Sequence, residues 1–205
     1  MKPKHRRKEH YYVKQPKSKS QLGLIRTDLR GHFFEFLTSS SVFSKKRIDL
    51  GTRLLIESII LPEKGWFLDL GCGYGPVGLV AAVSNPNLQV VMVDVNERAV
   101  WLAKENAKRC HVENVDIRHG FLYKPVRDMR FDTVVCNPPV SAGMQVVLAV
   151  VKDAPKHLEK DGLFQIVLRS KIGSRRVLEQ SGKTFGNVDI LARKSGYRVL
   201  LSKKS

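Results

Sequence analysis

The sequence predicts an α/β fold: a doubly wound sheet of seven strands, mostly parallel, that ends in an antiparallel hairpin. Three features of the chain lead there. From Trp66 onward, short apolar runs alternate with segments of helical periodicity, the pattern of parallel strands joined by helical crossovers. A glycine-rich turn, GCGYG, separates the first of these strands from the first helix, at the place where such a sheet binds ligands. The last two apolar runs are joined by RKSG alone, which is too short for a crossover and suits a hairpin.

Taken in order, residues 1–21 are rich in Lys, Arg and Pro and nearly free of large apolar side chains, so they are expected to form a loose basic arm. No apolar stretch follows their positive charges, so they do not read as an export signal. Residues 22–205 are expected to form the folded unit, with 22–64 as an N-terminal hairpin and helix and 65–205 as the sheet core. Residues 22–29 and 32–38 flank Asp28-Leu29-Arg30-Gly31, a hairpin turn. After the loop SSSVFSKKR, Asp49 caps a helix in which Leu50, Leu54, Leu55, Ser58 and Ile59 share a face, and Pro62 and Gly65 end it.

Residues 66–70 are the first core strand. Pro76 opens the next helix ahead of Val77, Leu79, Val80 and Val83, because its missing N–H is not needed at the first helical position. Strand 89–93 leads to Asn96, the cap of a helix carrying Val100, Ala103, Ala107 and Cys110 on one face. Strands 115–119, 131–136 and 163–168 continue the alternation. Between the last two, Val146, Val147, Val150, Val151 and Ala154 recur at helical spacing up to Pro155. Residues 188–192 and 197–201 form the closing hairpin.

A chain of 205 residues can close a substantial core, and none of its apolar runs approaches the roughly 20 residues that span a bilayer. Cys72, Cys110 and Cys136 form no C-x-x-C pair, and the six histidines lack ligand spacing. This argues against a disulfide framework or a metal centre and for a reducing, cytoplasmic setting. Lys and Arg number 36 against 19 Asp and Glu, a formal net charge of +17. Such a field selects a polyanionic partner, and nucleic acid is favoured over an anionic membrane because no basic amphipathic helix is evident. The blander reading of the same charge is a solubilising surface with a basic tail.

Gly71, Gly73 and Gly75 allow the backbone to turn sharply and approach a ligand closely. Gly73, Gly75 and Gly78 also satisfy the dinucleotide spacing G-x-G-x-x-G, so an NAD site has to be weighed. Asp69 speaks against it, since a carboxylate just before the turn repels a pyrophosphate and attracts a cationic ligand. Asp94, at the end of the next strand, is placed to accept both hydroxyls of an adenosine ribose. Further on, FDTVVCNPPVSAG breaks an apolar β-branched run with Asn137 and two prolines. Pro138 and Pro139 stop the strand and hold Asn137 extended, which makes a rigid polar corner at a strand end.

Together DLGCGYGPVGL, VVMVDVNERAVWLAKENA and FDTVVCNPPVSAG resemble the class I S-adenosylmethionine-dependent methyltransferases of the methyltransferase small domain group, which includes the ribosomal RNA small-subunit guanine-N2 methyltransferases and stand-alone bacterial and archaeal relatives. The similarity runs from HYYVKQP and VFSKKRIDLGTRLLIES to FGNVDILARKSGYRVLLSKK. It implies a Rossmann-like fold and S-adenosylmethionine held by Asp69, Gly71, Cys72, Gly73, Gly75, Asp94, Val95 and Phe121. It also implies catalysis at Asn137, Pro138 and Pro139, with the Asn137 oxygen and the Pro138 carbonyl accepting the two N–H hydrogens of an exocyclic base amine. Proline rigidity would hold the nitrogen in line for attack, with no strong base needed beforehand. Phe43, Lys45, Val140, Arg169 and Lys171 are the implied substrate contacts, and RNA, as ribosomal RNA or a ribosomal subunit, the implied partner. Two positions depart from the group: Val140 stands where many relatives carry a stacking aromatic, and Phe121 where several carry an acid.

The basic arm fits an RNA substrate, with Tyr11 and Tyr12 as stacking faces, and Arg175 and Arg176 join Arg169 and Lys171 after the fifth core strand. A protein glutamine or small-amine methyltransferase poses the same geometric problem at nitrogen. A catalytically silent RNA-binding protein on the same fold is a further alternative.

Overall fold

The structure, a computed structural model, describes residues 22–39, 47–139, 143–170 and 174–205. Residues 1–21, with Tyr11 and Tyr12, lie outside the described residues, as do Phe43, Lys45, Val140 and Lys171. The described residues begin with β1 (Leu22–Leu29) and β2 (His32–Ser39), an antiparallel hairpin in register from Leu22 opposite Ser39 to Leu29 opposite His32. Its two turn residues, Arg30 (φ 49°) and Gly31 (φ 80°), are both left-handed, the twist that a two-residue hairpin requires. The elements that follow are α1 (Leu50–Ser58), β3 (Gly65–Leu70), α2 (Pro76–Ser84), β4 (Leu88–Asp94), α3 (Glu97–Arg109), β5 (Val115–His119) and β6 (Phe131–Cys136). Then come α4 (Met144–Asp153), β7 (Leu158–Arg169), α5 (Ser174–Phe185), β8 (Asp189–Lys194) and β9 (Tyr197–Lys203).

The seven-stranded sheet has the order β5-β4-β3-β6-β7-β9-β8, parallel from β5 to β7 and antiparallel at β7-β9-β8. Side chains along each strand alternate between two cores. Phe67, Val90 and Met92 face the layer formed by α1, α2 and α3, whereas Leu68, Leu70, Val91 and Val93 face α4 and α5. The order reverses between β3 and β6, where Leu70 pairs with Cys136. The chain therefore leaves the two strands side by side, Gly71 after one and Asn137 after the other, at the switch point where a doubly wound sheet opens a crevice.

The first hairpin is held to the core by Asn106 of α3, which is fully buried. Its Oδ1 accepts the Leu37 N–H at 2.7 Å, and its Nδ2 donates to the carbonyls of Leu37 (2.9 Å) and Tyr74 (2.8 Å). Phe36 meets the Tyr74 ring edge-on at 5.9 Å, so the hairpin also backs the glycine turn. At the other end of α1, Arg30 donates to the carbonyls of Ile56 and Ile59, both at 3.1 Å, and satisfies acceptors that a helix C-terminus leaves open.

Three expectations change. The buried face of α1 is Gly51, Thr52, Leu55 and Ile56, continued by Ile59. Leu50 is half exposed, because α1 lies across β7, β8 and β9 with Gly51 against the Tyr197 ring, which turns the predicted stripe by about one position. The stretch between Arg169 and Val188, where periodicity predicted nothing, contains α5, whose buried stripe is Ser174, Val177, Ser181 and Phe185. β7 starts at Leu158 instead of 163, with Asp161 at φ 65° and a register shift against β6 near Phe131. Among the described residues, no helix is long and apolar enough to cross a membrane.

Candidate active site

Two buried carboxylates close the glycine turn. Gly71 and Cys72 donate their N–H groups to the Val93 carbonyl (2.8 and 3.0 Å), which holds the turn against β4. Asp69, 2% exposed, accepts the Gly78 N–H at 2.9 Å, one of the donors that the first turn of α2 leaves without a helical partner. Asp94, 1% exposed, accepts from Gly73 through Oδ2 and from Asn96 through Oδ1, each at 2.8 Å, so one carboxylate ties the turn after β3 to the turn after β4.

Gly71 has φ 78°, and a Cβ there would meet nothing within 4 Å. A side chain at this position would project into the crevice. Gly75 (φ 94°) faces the other way: its Cβ would stand 2.8 Å from the Met92 methyl, so this glycine serves helix-to-sheet packing and does not line the cavities described below.

Burial pushes the Asp69 carboxyl up from 3.8 to about 7; the Gly78 N–H works against this and the Asp94 charge adds to it. Burial likewise raises the thiols of Cys72 and Cys136 well above the ordinary value, with the charges of Asp69 and Asp94 adding to the effect. Neither cysteine is therefore a nucleophile at neutral pH. Among the described residues, no three His, Cys, Asp or Glu side chains stand close enough together to hold a metal ion.

β6 runs directly into Asn137, Pro138 and Pro139. The Asn137 Nδ2 donates to Thr52 Oγ1 at 2.8 Å, and the Thr52 hydroxyl donates to Asp49 Oδ2. Asp49 is the N-cap of α1, its Oδ1 accepting from the N–H groups of Gly51 (2.9 Å) and Thr52 (3.2 Å). Helix α1 thus braces the polar corner from outside the sheet.

Three cavities meet at this corner. The first, about 430 Å³, is lined by Gly71, Asp94, Val95, Phe121, Pro138 and Pro139, among others. The second, about 310 Å³, lies over the turn between Asp69, Gly71, Cys72, Gly73, Thr52 and Asn137. The third is a cleft of about 910 Å³ bounded by Asp49, Asn137, Pro138, Pro139, Arg169 and Tyr197. Asn137 is common to the second and third cavities, and both prolines to the first and third. The first two share Gly71, which has no side chain to stand between them. The pair, with one carboxylate on the wall of each cavity, fits an extended adenosyl cofactor with a cationic amino-acid end.

Of the residues singled out from sequence, the structure thus brings Asn137, Pro138, Pro139, Asp69, Gly71, Cys72, Gly73, Asp94, Val95 and Phe121 to one crevice, and places Arg169 on the adjoining cleft. Thr52 and Tyr197 are additions. In the sheet register Tyr197 lies opposite Arg169, whose Nε donates to the Tyr197 hydroxyl at 2.9 Å and whose guanidinium carbon sits 5.5 Å from the ring centroid. The signal available beforehand was the tight Ser195-Gly196 turn, which starts the last strand at Tyr197 next to the end of β7.

The model of the methyltransferase small domain family matches residues 34–201. An uncharacterized protein of Bacillus subtilis (strain 168), YbxB, is 40% identical over 198 residues, covering 96% of this chain and 98% of that protein. Ribosomal RNA small subunit methyltransferase C of Photorhabdus laumondii is 30% identical over 171 residues, 82% of this chain and 49% of that enzyme. The T. thermophilus 16S rRNA N2 methyltransferase RsmC, solved in complex with AdoMet and guanosine, superimposes with a TM-score of 0.81 at 25% identity, over 93% of this chain and 52% of that one. The chain spans about half the length of these methyltransferase C relatives. On the family match, the near full-length likeness to YbxB and the sheet order with its glycine turn and Asn-Pro-Pro corner, the chain belongs to the methyltransferase small domain family of class I S-adenosylmethionine-dependent methyltransferases.

Proposed function

We propose that the protein methylates an exocyclic amine of RNA, the N2 amine of a guanine in ribosomal RNA, presented as naked RNA or within a ribosomal subunit. The observation that carries this is the place of Asn137, a wall of both the glycine-turn cavity and the large cleft. A nitrogen held at this corner from the cleft side faces the cofactor side directly. With Nδ2 committed to Thr52, what Asn137 offers a substrate is its oxygen, an acceptor.

An exocyclic guanine amine has its lone pair drawn into the ring and is a poor nucleophile. The Asn137 oxygen and the Pro138 carbonyl, accepting its two N–H hydrogens, fix its orientation and favour the positive charge that develops on nitrogen. When bound, S-adenosylmethionine supplies an electrophilic methyl group on a sulfonium. Asp94 would hold its ribose hydroxyls, Val95 and Phe121 would flank its adenine, Asp69 would face its cationic amino-acid end, and Gly71, Cys72 and Gly73 would form the floor. Because the amine is uncharged, no base is required beforehand: the nitrogen becomes cationic as the carbon–sulfur bond breaks and then loses one proton to water, the thiols of Cys72 and Cys136 being neutral.

On the substrate side, Tyr197 and Arg169 offer the cleft an aromatic edge and a cation, in keeping with a base and its phosphate. Phe43, Lys45, Val140 and Lys171 are assigned to the same surface on sequence alone, as is the phosphate-binding role of residues 1–21. The guanosine bound alongside AdoMet in the T. thermophilus relative supports the choice of base, and a net charge of +17 supports the choice of polymer. The three cysteines suit a cytoplasmic setting.

Incubating the protein with methyl-labelled cofactor and either total RNA, small ribosomal subunits or total protein tests the reading. Label is expected in RNA, on guanine N2, and is expected to be lost with N137A, which keeps cofactor binding. Label confined to protein, or full activity in N137A, overturns it.

A further inference from the structure

Resting on the reading of Asn137 as the acceptor for the target amine, we propose that Thr52 and Asp49 are positioning residues that fix which end of the Asn137 amide faces the substrate. A primary amide has nearly the same shape at its two ends and opposite polarity. Turned over, Asn137 would present N–H groups to an amine that itself needs acceptors, and donor would face donor across the cleft.

The direction of the amide follows from one fixed negative charge. The Asp49 carboxylate can only accept. Its Oδ1 takes the Gly51 and Thr52 N–H groups at the start of α1, and its Oδ2 faces the Thr52 hydroxyl. That hydroxyl has a single proton, and Asp49 takes it. The lone pairs left on Oγ1 can then only accept, and Nδ2 of Asn137 meets them at 2.8 Å. Thr52 is 4% exposed, so water is poorly placed to substitute for it. Reaching from α1 to the corner after β6, a separation of 85 residues, the chain of bonds joins a helix cap to the reacting centre.

As a cap alone, Asp49 has no special merit, since Asn, Ser or Thr would start the helix about as well. Only a carboxylate guarantees an acceptor on the Thr52 side. Asp49→Asn separates the two roles. Its single oxygen stays with the backbone N–H groups and preserves the cap, and its NH2 turns to Thr52. The Thr52 proton, no longer drawn to Asp49, is then released to donate to Asn137, and an amide that accepts it turns its oxygen inward and its N–H groups into the cleft.

The experiment compares Asn137→Ala, Thr52→Val, Thr52→Ser and Asp49→Asn by steady-state kinetics on RNA, calorimetric cofactor binding and thermal midpoint. For Thr52→Val, kcat is expected to fall about 10- to 100-fold, less than the roughly 100- to 1,000-fold of removing a preorganised hydrogen-bonding group at a developing charge outright. Thr52 also borders the glycine-turn cavity, so the cofactor Kd is expected to move by less than about threefold, far less than kcat, and Thr52→Ser should restore kcat to within about threefold, since it returns the same hydroxyl. For Asp49→Asn, kcat should fall at least as far with no change in thermal midpoint. Wild-type kcat in both Thr52→Val and Asp49→Asn, beside an inactive Asn137→Ala, overturns the positioning role and leaves the site reading standing. Wild-type turnover in Asn137→Ala overturns the site reading itself. Should Thr52→Val fail to fold, Asp49→Asn, with its cap intact, decides.

Discussion

Asp69 holds its proton in the folded chain up to about pH 7, whereas the unfolded chain releases it near 3.8. Between those values the folded state binds more protons than the unfolded one, so stability falls as pH rises through this window and is level above it. The contribution is fully present below about pH 4, and its loss by pH 7 is about 4 kcal/mol, three pKa units at 1.36 kcal/mol each. Denaturant titrations of the cofactor-free protein from pH 5 to pH 8 should therefore show declining stability, and D69N should remove the slope. Cofactor binding runs the opposite way, because a cation beside Asp69 favours its ionised form. The Kd should tighten by up to about tenfold per pH unit from 5 to 7 and level off above, with release of a proton. A pH-independent Kd in the wild type would place the cationic end of the cofactor away from Asp69. The acid before the glycines was legible in the sequence as a cation-seeking group. Its raised pKa was not, because the shift comes from complete burial beneath α2 and from Asp94, which the chain brings alongside only when β3 and β4 pair.

Elements whose neighbours supply the same periodicity as their sequence were readable in advance; those that pack through small or polar residues were not. α3 combines an Asn96 cap, bonded to the N–H groups of Arg98 and Ala99, with an apolar stripe of Ala99, Val100, Leu102 and Ala103, and it lies within a residue or two of its expected bounds. α5 buries two serines in its stripe and so gave no periodic signal. α1 was found, but with the wrong face, since Gly51 and Thr52 face inward for reasons that lie in Tyr197 and Asn137 rather than in hydrophobicity. Asn106 is the same kind of case, a polar residue at a core position of α3 that docks the first hairpin and the Tyr74 carbonyl through three hydrogen bonds. Replacing it by Ala removes all three of these bonds, two of them part-buried and the one to Tyr74 buried. A loss of about 3 kcal/mol is expected, at the lower end of the range for several unsatisfied groups. For a chain of this size that is a drop of about 10 °C in the unfolding midpoint, measurable by calorimetry. Weaker cofactor binding should accompany it, because the Tyr74 carbonyl belongs to the glycine turn. Unchanged stability would mean that water fills the place of the amide.

At the scale of the whole molecule, the parallel order and the closing hairpin follow from connection lengths that the sequence displays openly, and the crevice follows from the order. What sequence could not supply is the adjacency of Gly71 and Asn137, which depends on β6 pairing with β3 from the side opposite β4. Charge is also a whole-molecule property, and it divides unevenly along the chain. Eight Lys and Arg stand against a single Glu in residues 1–21, a large share of the net +17 in about a tenth of the length. Lys and Arg that neutralise phosphates release counterions, so RNA affinity should fall linearly with salt on a double-logarithmic plot, with a slope of about 0.7 per contacted phosphate for single strands. If residues 1–21 supply the phosphate contacts and the crevice supplies the base contacts, removing them should lower the magnitude of that slope by about 2 to 5 and weaken RNA binding at low salt. The cofactor Kd, and kcat at saturating RNA, should stay as they are, because the described walls of the three cavities are drawn from residues 49–197. Filter binding across a salt series, with the full chain and the truncated one side by side, reads both quantities. An unchanged slope would assign counterion release to the folded surface around Arg169 and α5 instead, where Arg175 and Arg176 are exposed.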